Sequence, residues 1–556
     1  MQSGYVNGLF KDFFWKGKIM VFTTLRFLAF LVCALVVFAI CPRKHRWLSL
    51  LGLSIAFYCI ASVKYLPYIL FTTVVIFLAA RAIGKTWEKL DADLKAEGLT
   101  KESKKALKAK AKSKAKKILI FALFLTLGVL CYTKFTKFLV GPINKALKSA
   151  GSGKTFSAAS ILVPLGISYY TFSTVGYLLD VYWKRYKYET NYFRFLLYAI
   201  YFPHILQGPI ERYNRLGQRL KAELFFTWDN FIAGGQLLLW GYFKKLVIAD
   251  RVDIFINSVY GDYSHQAGIT IIIAAILDVI YIYCDFSGCM DIARGVSQML
   301  GVELDLNFNH PFFSKNVQEF WRRWHMSLGG WFKDYVYFPV STSGWVKKIS
   351  KSVRKHGSDR ASKIAATIFP VVITWFLTGL WHGTGKTYIA WGLYYGFMIM
   401  CSITFETEFK KLTEFFKINT KSASFRFYQS IKTCCIFAGG RLLTRPGSLY
   451  KTAVCCRRVL MRGNLRPWKL TDGSLFTYGL TYKDFNVIFI SVAILITVSV
   501  LQEIGQVRET GTLRERLAKE NIIFRWVLSF GLIFAILIFG IYGPGYDSSS
   551  FAYMEY

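Results

Sequence analysis

The chain has 556 residues, of which 54% are hydrophobic, and a soluble protein cannot hide that much apolar surface. It carries 70 Lys and Arg against 33 Asp and Glu, a net charge of +37, yet only 19% of its residues are charged. The basic residues must therefore be concentrated in connections between long apolar segments, which argues against disorder and against nucleic-acid binding. An aromatic content of 17% is typical of lipid-facing helices and of membrane interfaces. We predict a multi-pass membrane protein.

Long apolar segments follow one another along the chain, and a helix needs about 20 such residues to cross a bilayer core. Candidate spans begin near Met20, Trp47, Tyr65, Ile118, Ala158, Tyr192, Phe231, Ile269, Ile364, Tyr388, Tyr428, Phe485 and Ile523. Because several are short or interrupted, we expect about 11 to 13 membrane segments, counting re-entrant and interfacial helices. The fold is predicted to be all-α, since helices satisfy their own backbone hydrogen bonds in lipid and the alternating pattern of a barrel is absent.

Three basic segments interrupt what we predict to be one membrane domain over residues 1–556. Residues 84–117 carry twelve Lys against five acidic residues and no aromatic residue after Trp87, which is typical of a polar helical loop or hairpin. The positive-inside rule places this segment and the basic loop at 341–363 in the cytoplasm. Residues 405–468 are basic and broken by Gly and Pro, and are interpreted as partly interfacial.

The first of two histidines flanked by Trp is His325. Asn316 and Glu319 have the spacing of a capping box, which predicts a helix that starts there and ends at Pro339. On that helix His325 shares an aromatic face with Trp324. An isolated histidine is more often a packed core residue, but ionisable groups inside a membrane domain are costly and usually functional. His325 is therefore a candidate site residue.

The second histidine, His382, ends the apolar run 364–381 and precedes the glycines of segment 383–385, which let a substrate approach the backbone closely. Lys363 in the basic loop is nineteen residues away, so a straight helix would carry the imidazole about 28 Å from the cytoplasmic side. Pro370 is expected to kink this helix. His382 should lie deep in the membrane or towards its outer half, where desolvation favours the neutral imidazole, the form that acts as a general base.

Two carboxylates, Asp278 and Asp285, interrupt another apolar run. Seven residues apart, they would stack on one helical face at a separation of about 10 Å. Charges at mid-membrane cost about 2.5 to 3.5 kcal/mol each, so these groups must face a polar interior or pair with bases such as Arg322 or Arg323. A structural ion pair is favoured over direct catalysis.

Several well-known catalytic motifs are absent from the sequence, among them the Walker A loop, Gly-x-Ser-x-Gly, His-Glu-x-x-His and the dinucleotide fingerprint. The cysteine doublets at 434–435 and 455–456 lack the spacing and histidine partners of a zinc site. We therefore predict neither a metal site nor a bound cofactor.

Specific motifs do occur at Phe286–Gly288, Asn307–Phe312, Glu319–Leu328 and Asp334–Tyr337, with further ones at Pro164–Phe172, Gln207–Arg212, Gly379–Gly383 and Phe539–Tyr556. Together they resemble the membrane-bound O-acyltransferase (MBOAT) family, and within it the bacterial polysaccharide O-acetyltransferases of the alginate type. The resemblance is faint over residues 405–468. It implies a central tunnel through which an acyl group supplied from the cytoplasm reaches an extracytoplasmic acceptor.

By the family's pattern, His382 matches the catalytic histidine and His325 the second, supporting one. The resemblance implies that acetyl-CoA or another acyl thioester is the donor and that His382 removes a proton from an acceptor hydroxyl. Under this hypothesis His325 hydrogen-bonds a substrate or stabilises the oxyanion, while Trp324 and Trp381 shape a dry cavity. Further supporting residues are expected at Asp285, Arg323 and Asn309.

The resemblance also implies a bacterial plasma-membrane protein, a polysaccharide acceptor and a separate extracytoplasmic transferase partner. Two alternatives stay open. One is D-alanyl transfer to teichoic acid from a carrier protein, although the segment Asn309–Pro311 is more similar to the polysaccharide-acetylating branch. The other is a transporter or flippase that uses Asp278, Asp285 and the histidines as a substrate or proton path, against which stands the lack of a repeated half.

Overall fold

The fold was analysed in a computed structural model that describes residues 20–152, 154–157, 164 and 166–542. Within these ranges all regular secondary structure is helical, and one isolated bridge joins Phe308 to Trp324. The all-α prediction is confirmed. The expected motif at 164–172 is described except for Leu165, and the motif at 539–556 lies outside the described residues beyond Tyr542.

Each of the thirteen predicted apolar segments coincides with a helix, although the one expected near Ala158 begins at Ile167 and residues 158–163 lie outside the described residues. The first helices are α1 Leu25–Ile40, α2 Arg46–Ser62, α3 Leu66–Asp93, α4 Lys101–Ser149, α5 Ile167–Tyr182, α6 Tyr192–Ile200, α7 Phe202–Ile205, α8 Gln218–Lys221, α9 Trp228–Tyr242, α10 Asp250–Gly261 and α11 Gly268–Met299. The later ones are α12 Val317–Arg323, α13 Met326–Phe332, α14 Phe338–Ser341, α15 Gly344–His356, α16 Asp359–His382, α17 Lys386–Thr404, α18 Glu406–Phe415, α19 Ala423–Thr444, α20 Leu449–Leu460, α21 Tyr482–Val507, α22 Leu513–Ala518 and α23 Ile522–Phe539.

Six helices in the described ranges are long and apolar enough to cross a membrane: α3, the first part of α4, α11, α16, α21 and α23. A seventh crossing is possible if α17 and α18, which are bent by 58°, form one span. The expected 11 to 13 segments also counted re-entrant and interfacial helices, and several of the remaining apolar helices are short. With 16 residues, α1 is about 24 Å long against a bilayer core of about 30 Å.

The chain divides into two compact units. The first comprises residues up to 235 together with 293–305. Its core is built around α5, which is buried along almost its whole length. The Tyr198 hydroxyl donates to the backbone oxygens of Ser173 (3.1 Å) and Glu211 (2.8 Å), so a buried phenol connects α5 to the segment that carries the motif 207–212.

The basic segment 84–117 belongs to this first unit and contains the end of α3 and the start of α4. Thr100 caps α4, because its hydroxyl accepts a hydrogen bond from the backbone N–H of Ser103 at 3.1 Å. The lysines that follow are almost all exposed. The sequence thus folds here as a helical hairpin with a strongly basic end.

The second unit comprises residues 236–292 and 306 onwards. The other two basic segments belong to it: 341–363 contains α15 and the start of α16, and 405–468 contains α18, α19 and α20. Helices α16 and α17 cross very closely, since a Cβ added at Gly379 would lie 2.5 Å from the Tyr388 backbone oxygen. Only a residue without a side chain permits this approach. The crossing lies next to the end of α16, where His382 stands.

Candidate active site

His382 is the last residue of α16 and is 5% exposed. The predicted helix forms as a single element that contains Pro370, and the side chain of Ser358 caps its start by accepting from the backbone N–H of Ala361 at 3.1 Å. The helix ends because Gly383 is extended, with φ at 176°. A Cβ at Gly383 would lie 2.2 Å from the ring of Tyr388, so the glycine lets that ring pack directly beyond the histidine.

Aromatic rings surround the imidazole of His382. Its ring centroid lies 4.8 Å from that of Trp381 and 4.8 Å from that of Trp391, in both cases edge to face. Trp391 in turn contacts Trp321 at 5.6 Å and Tyr395 at 5.2 Å. Such contacts exclude water and fix ring orientation.

His325 does not lie on a continuous helix, so the predicted helix from Asn316 to Pro339 is wrong. The start is as expected, because Asn316 Oδ1 accepts from the backbone N–H of Glu319 at 2.8 Å, but α12 ends at Arg323. His325 then adopts left-handed backbone angles (φ 46°, ψ 51°), and α13 begins at the next residue.

Backbone hydrogen bonds to the segment 307–309 explain this break. The N–H of Asn309 donates to the carbonyl oxygen of Arg323 (2.8 Å), and the N–H of Met326 donates to that of Asn307 (3.0 Å). These bonds take backbone groups out of the helical pattern, and the isolated bridge between Phe308 and Trp324 lies between them. Tertiary pairing therefore overrides the helical periodicity.

Asn307 holds the buried imidazole of His325. Its Nδ2 and Oδ1 atoms lie 3.2 Å and 3.3 Å from His325 Nδ1, and Oδ1 also accepts from the N–H (3.0 Å) and hydroxyl (2.9 Å) of Ser327. The ring of Phe286 contacts the imidazole edge to face at 4.8 Å. Burial lowers the pKa of His325 to about 3, so this imidazole is neutral at physiological pH.

Trp381 brings the two histidines into one aromatic cluster. Its ring lies 5.9 Å from that of His325 and 4.8 Å from that of His382. Both imidazoles thus contact the same indole. The orientation that Asn307 gives to His325 is consequently transmitted by packing to the residue before His382.

A small cavity of about 20 Å³ lies against His382. Its walls are mostly aromatic and come from three helices, α12, α17 and α19, and from the residue after α12: Trp321, Trp324, Tyr388, Trp391 and Phe437. The remaining lining residues are Ile282 on α11 and Arg441 and Thr444 on α19. Of the two indoles expected to shape a dry cavity, Trp324 lines this one and Trp381 does not; of the two histidines, His382 lines it and His325 does not.

The buried carboxylates of α11 form ion pairs, as favoured from the sequence, but the expected partners Arg322 and Arg323 are wrong. Asp278 binds the Nε and Nη2 atoms of Arg441 at 2.8 Å and 3.0 Å, and Arg445 lies 3.4 Å away. Asp285 accepts from Lys245 Nζ at 2.6 Å. These partners lie far along the chain, so spacing within the sequence gives no indication of them.

Two other predicted supporting residues lie outside the cavity lining. Arg323 pairs with Glu503 at 2.9 Å and with Glu319 at 2.8 Å. Asn309 contributes its backbone N–H to the break at His325. Asp285, paired with Lys245, is likewise absent from the cavity lining.

Sequence reasoning missed Asn307 and the cavity residues of α17 and α19. For α19 a signal existed, because Phe437, Arg441 and Thr444 have the i, i+4, i+7 spacing of one helical face. For Asn307 the available signal is its place in the motif 307–312, the same motif that supplies the expected supporting residue Asn309. Among the described residues, no group of three or more His, Cys, Asp or Glu side chains is arranged to hold a metal ion.

Comparison with known proteins yields a match to the model of the MBOAT, membrane-bound O-acyltransferase family, over residues 55–354. This range includes His325 and ends before His382. The chain is 30% identical to the probable alginate O-acetylase AlgI of Azotobacter vinelandii over 68% of its own length and 67% of the relative's. It is 30% identical to that of Pseudomonas syringae pv. tomato over 60% of the chain and 59% of the relative.

A relative that is named for a different activity is the teichoic acid D-alanyltransferase of Bacillus subtilis, 30% identical over 44% of this chain and 60% of the relative. Across these three relatives, the chain spans 59% to 67% of the length of the protein that it matches. These relatives are therefore named for the transfer of two different acyl groups, acetyl and D-alanyl. Similarity alone does not decide which of the two this chain transfers.

Proposed function

The chain belongs to the membrane-bound O-acyltransferase family, and from this premise we propose that it transfers an acyl group from a cytoplasmic thioester to a hydroxyl group outside the cytoplasm. The observation that carries the proposal is the buried His382 at the edge of an aromatic cavity. A neutral imidazole in such a place accepts a proton from a hydroxyl group, and the surrounding indoles keep competing water away.

In the proposed reaction, His382 takes the proton of the acceptor hydroxyl while the oxygen attacks the thioester carbonyl carbon. The new C–O bond forms, the C–S bond breaks, and the proton passes to the leaving thiolate, so that a thiol and an ester are the products. A positioned base of this kind contributes about 10² to 10⁴ in rate. The bonds formed and broken in this reaction balance without a metal or a redox step.

His325 is proposed as a positioning residue. It does not line the cavity, but its imidazole is fixed by Asn307 and contacts Trp381, the neighbour of His382. This geometry supports an indirect role better than the direct contact with substrate or oxyanion expected from the resemblance.

We propose acetyl as the acyl group and acetyl-CoA as its donor, because the relatives with 60% or more of this chain matched at 30% identity are named alginate O-acetylases. The acceptor would be a polysaccharide hydroxyl or a hydroxyl on an extracytoplasmic transferase partner. The basic hairpin at 84–117 fits the cytoplasmic side of a bacterial plasma membrane, where it would attract the phosphates of the donor. D-alanyl transfer is the second candidate, favoured by the match to the Bacillus subtilis relative.

Membranes from cells that express the chain test the proposal when they are incubated with acetyl-CoA labelled in the acetyl group. Label should appear in esters that mild base releases, and His382→Ala should lower it by a factor of about 10² or more. The matched control is His265→Ala, since that histidine is 80% exposed in its side chain and does not line the cavity. Full activity of His382→Ala, with protein levels unchanged, would refute the assignment of the base.

A further inference from the structure

We propose that the cavity beside His382 selects the acyl group: it admits a neutral group of the size of an acetyl methyl and rejects longer or positively charged acyl groups. This inference rests on the proposed acyl transfer and adds the residues that decide specificity. Ile282 sets the size limit from α11, and Arg441 sets the charge preference from α19.

The size limit follows from the volume of the cavity. At about 20 Å³ it holds about one water-sized group, for which 10 to 15 Å³ is needed. A methyl group has similar dimensions, so we expect the methyl of an acetyl group to occupy this space more readily than a longer acyl chain.

The side chains that line the cavity are closely packed, so they cannot easily move aside for a larger acyl group. Ile282, Trp324 and Phe437 are only 2 to 3% exposed. The ring of Phe437 lies 4.8 Å from that of Trp324, which also lines the cavity, and 4.5 Å from that of Phe320, which packs behind it. Protein interiors packed in this way respond to an added methylene with strain.

The charge preference follows from the lining residues. Arg441 is the charged side chain among them, and Asp278, which binds its Nε and Nη2 atoms, is not a lining residue. The ammonium of a D-alanyl group would therefore meet a guanidinium before it met a carboxylate. An acetyl group carries no charge and instead presents a carbonyl oxygen, which a guanidinium attracts.

Helix α19 lies beyond residue 354, where the match to the family model ends. It also lies in the segment 405–468, where the motif resemblance is faint. The face formed by Phe437, Arg441 and Thr444 thus lies outside the residues that the family model matches, as His382 does.

The experiment measures thiol release and ester formation with purified protein in lipid nanodiscs, using acetyl-CoA, propionyl-CoA, butyryl-CoA and D-alanyl-S-pantetheine as donors. The wild type should prefer acetyl over propionyl by about 10- to 200-fold in kcat/KM, the discrimination that one methylene allows. Ile282→Ala should reduce this preference to a few-fold. Its matched control is Ile276→Ala on the same helix, which removes a side chain that is 57% exposed and should leave the preference unchanged.

For the charge preference, Arg441→Gln should raise the rate with the D-alanyl donor relative to acetyl by tenfold or more, whereas Arg441→Lys should not. If Ile282→Ala is not recovered as a monodisperse protein, Thr444→Ala enlarges the same cavity and replaces it. Equal wild-type rates with acetyl, butyryl and D-alanyl donors would overturn the inference and leave acyl transfer intact. Release of thiol with none of the four donors would instead refute the proposed function.

Discussion

The substitution Asn307→Ala tests whether His325 acts through its position. Asn307 is 1% exposed, and its amide contacts His325 Nδ1, the N–H of Ser327 and the hydroxyl of Ser327. Alanine fits the space but removes every one of these contacts. The imidazole would then be free to turn against Trp381, the ring that it shares with His382.

The expected loss of stability in Asn307→Ala comes from the hydrogen bonds that the Asn307 side chain makes. A buried hydrogen-bonding group that loses its bond costs about 1 to 3 kcal/mol, and Asn307 bonds the buried Nδ1 of His325 as well as the part-buried N–H and hydroxyl of Ser327. Rearrangement allows the hydroxyl to find another acceptor, so we expect a loss of about 2 to 4 kcal/mol in the free energy of unfolding. Misplacing a reacting group by about 1 Å costs about 10² in rate, so kcat should fall by 10- to 100-fold with little change in KM.

The assay is acetyl transfer from labelled acetyl-CoA, combined with thermal unfolding of the same preparation in detergent. Asn309→Ala is the matched control, because Asn309 contributes its backbone N–H to Arg323 at 2.8 Å and alanine keeps that bond. A variant Asn307→Ala that loses stability but retains the wild-type kcat would show that Asn307 only stabilises the fold. The positioning role of His325 would then be abandoned.

Three further predictions concern other parts of the chain. Gly383→Ala should lower kcat by about 10² without loss of protein, because its Cβ would lie 2.2 Å from the ring of Tyr388 and push the region next to the base out of place. Asp278→Asn should destabilise the protein by about 3 to 5 kcal/mol, seen as a lower unfolding temperature, because the buried Arg441 loses its counter-ion. For Glu211, burial raises the pKa from 4.5 to about 8, so folding favours the protonated carboxyl group. Stability should therefore fall as the pH rises from about 5 to 8, and Glu211→Gln should remove this dependence.

Matched control variants exist for the substitutions at Gly383 and Asp278. Gly385→Ala should be tolerated, since its Cβ would lie 3.4 Å from a Thr387 hydroxyl, and equal losses at both glycines would contradict the steric explanation. Asp262→Asn removes an exposed carboxylate and should leave the unfolding temperature unchanged. An unfolding curve whose pH dependence is the same in wild type and Glu211→Gln would assign that dependence to other groups.

The helices could be predicted from the sequence because they depend on local properties, and local properties also selected the two histidines as candidates. Hydropathy over about 20 residues located thirteen helices, and the end of the apolar run 364–381 together with the glycines after it singled out His382. The break at His325 could not be found in this way, because it is made by backbone bonds to the segment 307–309. The same holds for the partner of Asp278, which lies 163 residues away on α19.

The distance between α16 and α17 shows how a local signal and a tertiary one combine at this site. Gly379 and Gly392 face each other, so that a Cβ on Gly392 would lie 3.1 Å from the Cα of Gly379 and 2.3 Å from the backbone oxygen of Trp375. Small residues allow helix backbones in membranes to approach in this manner. Since His382 stands three residues after Gly379 and Trp391 one residue before Gly392, the crossing fixes both ends of the 4.8 Å contact between their rings. The position of the proposed base is thus set by the approach of two backbones, and the two glycines matter to the chemistry although neither offers a functional group.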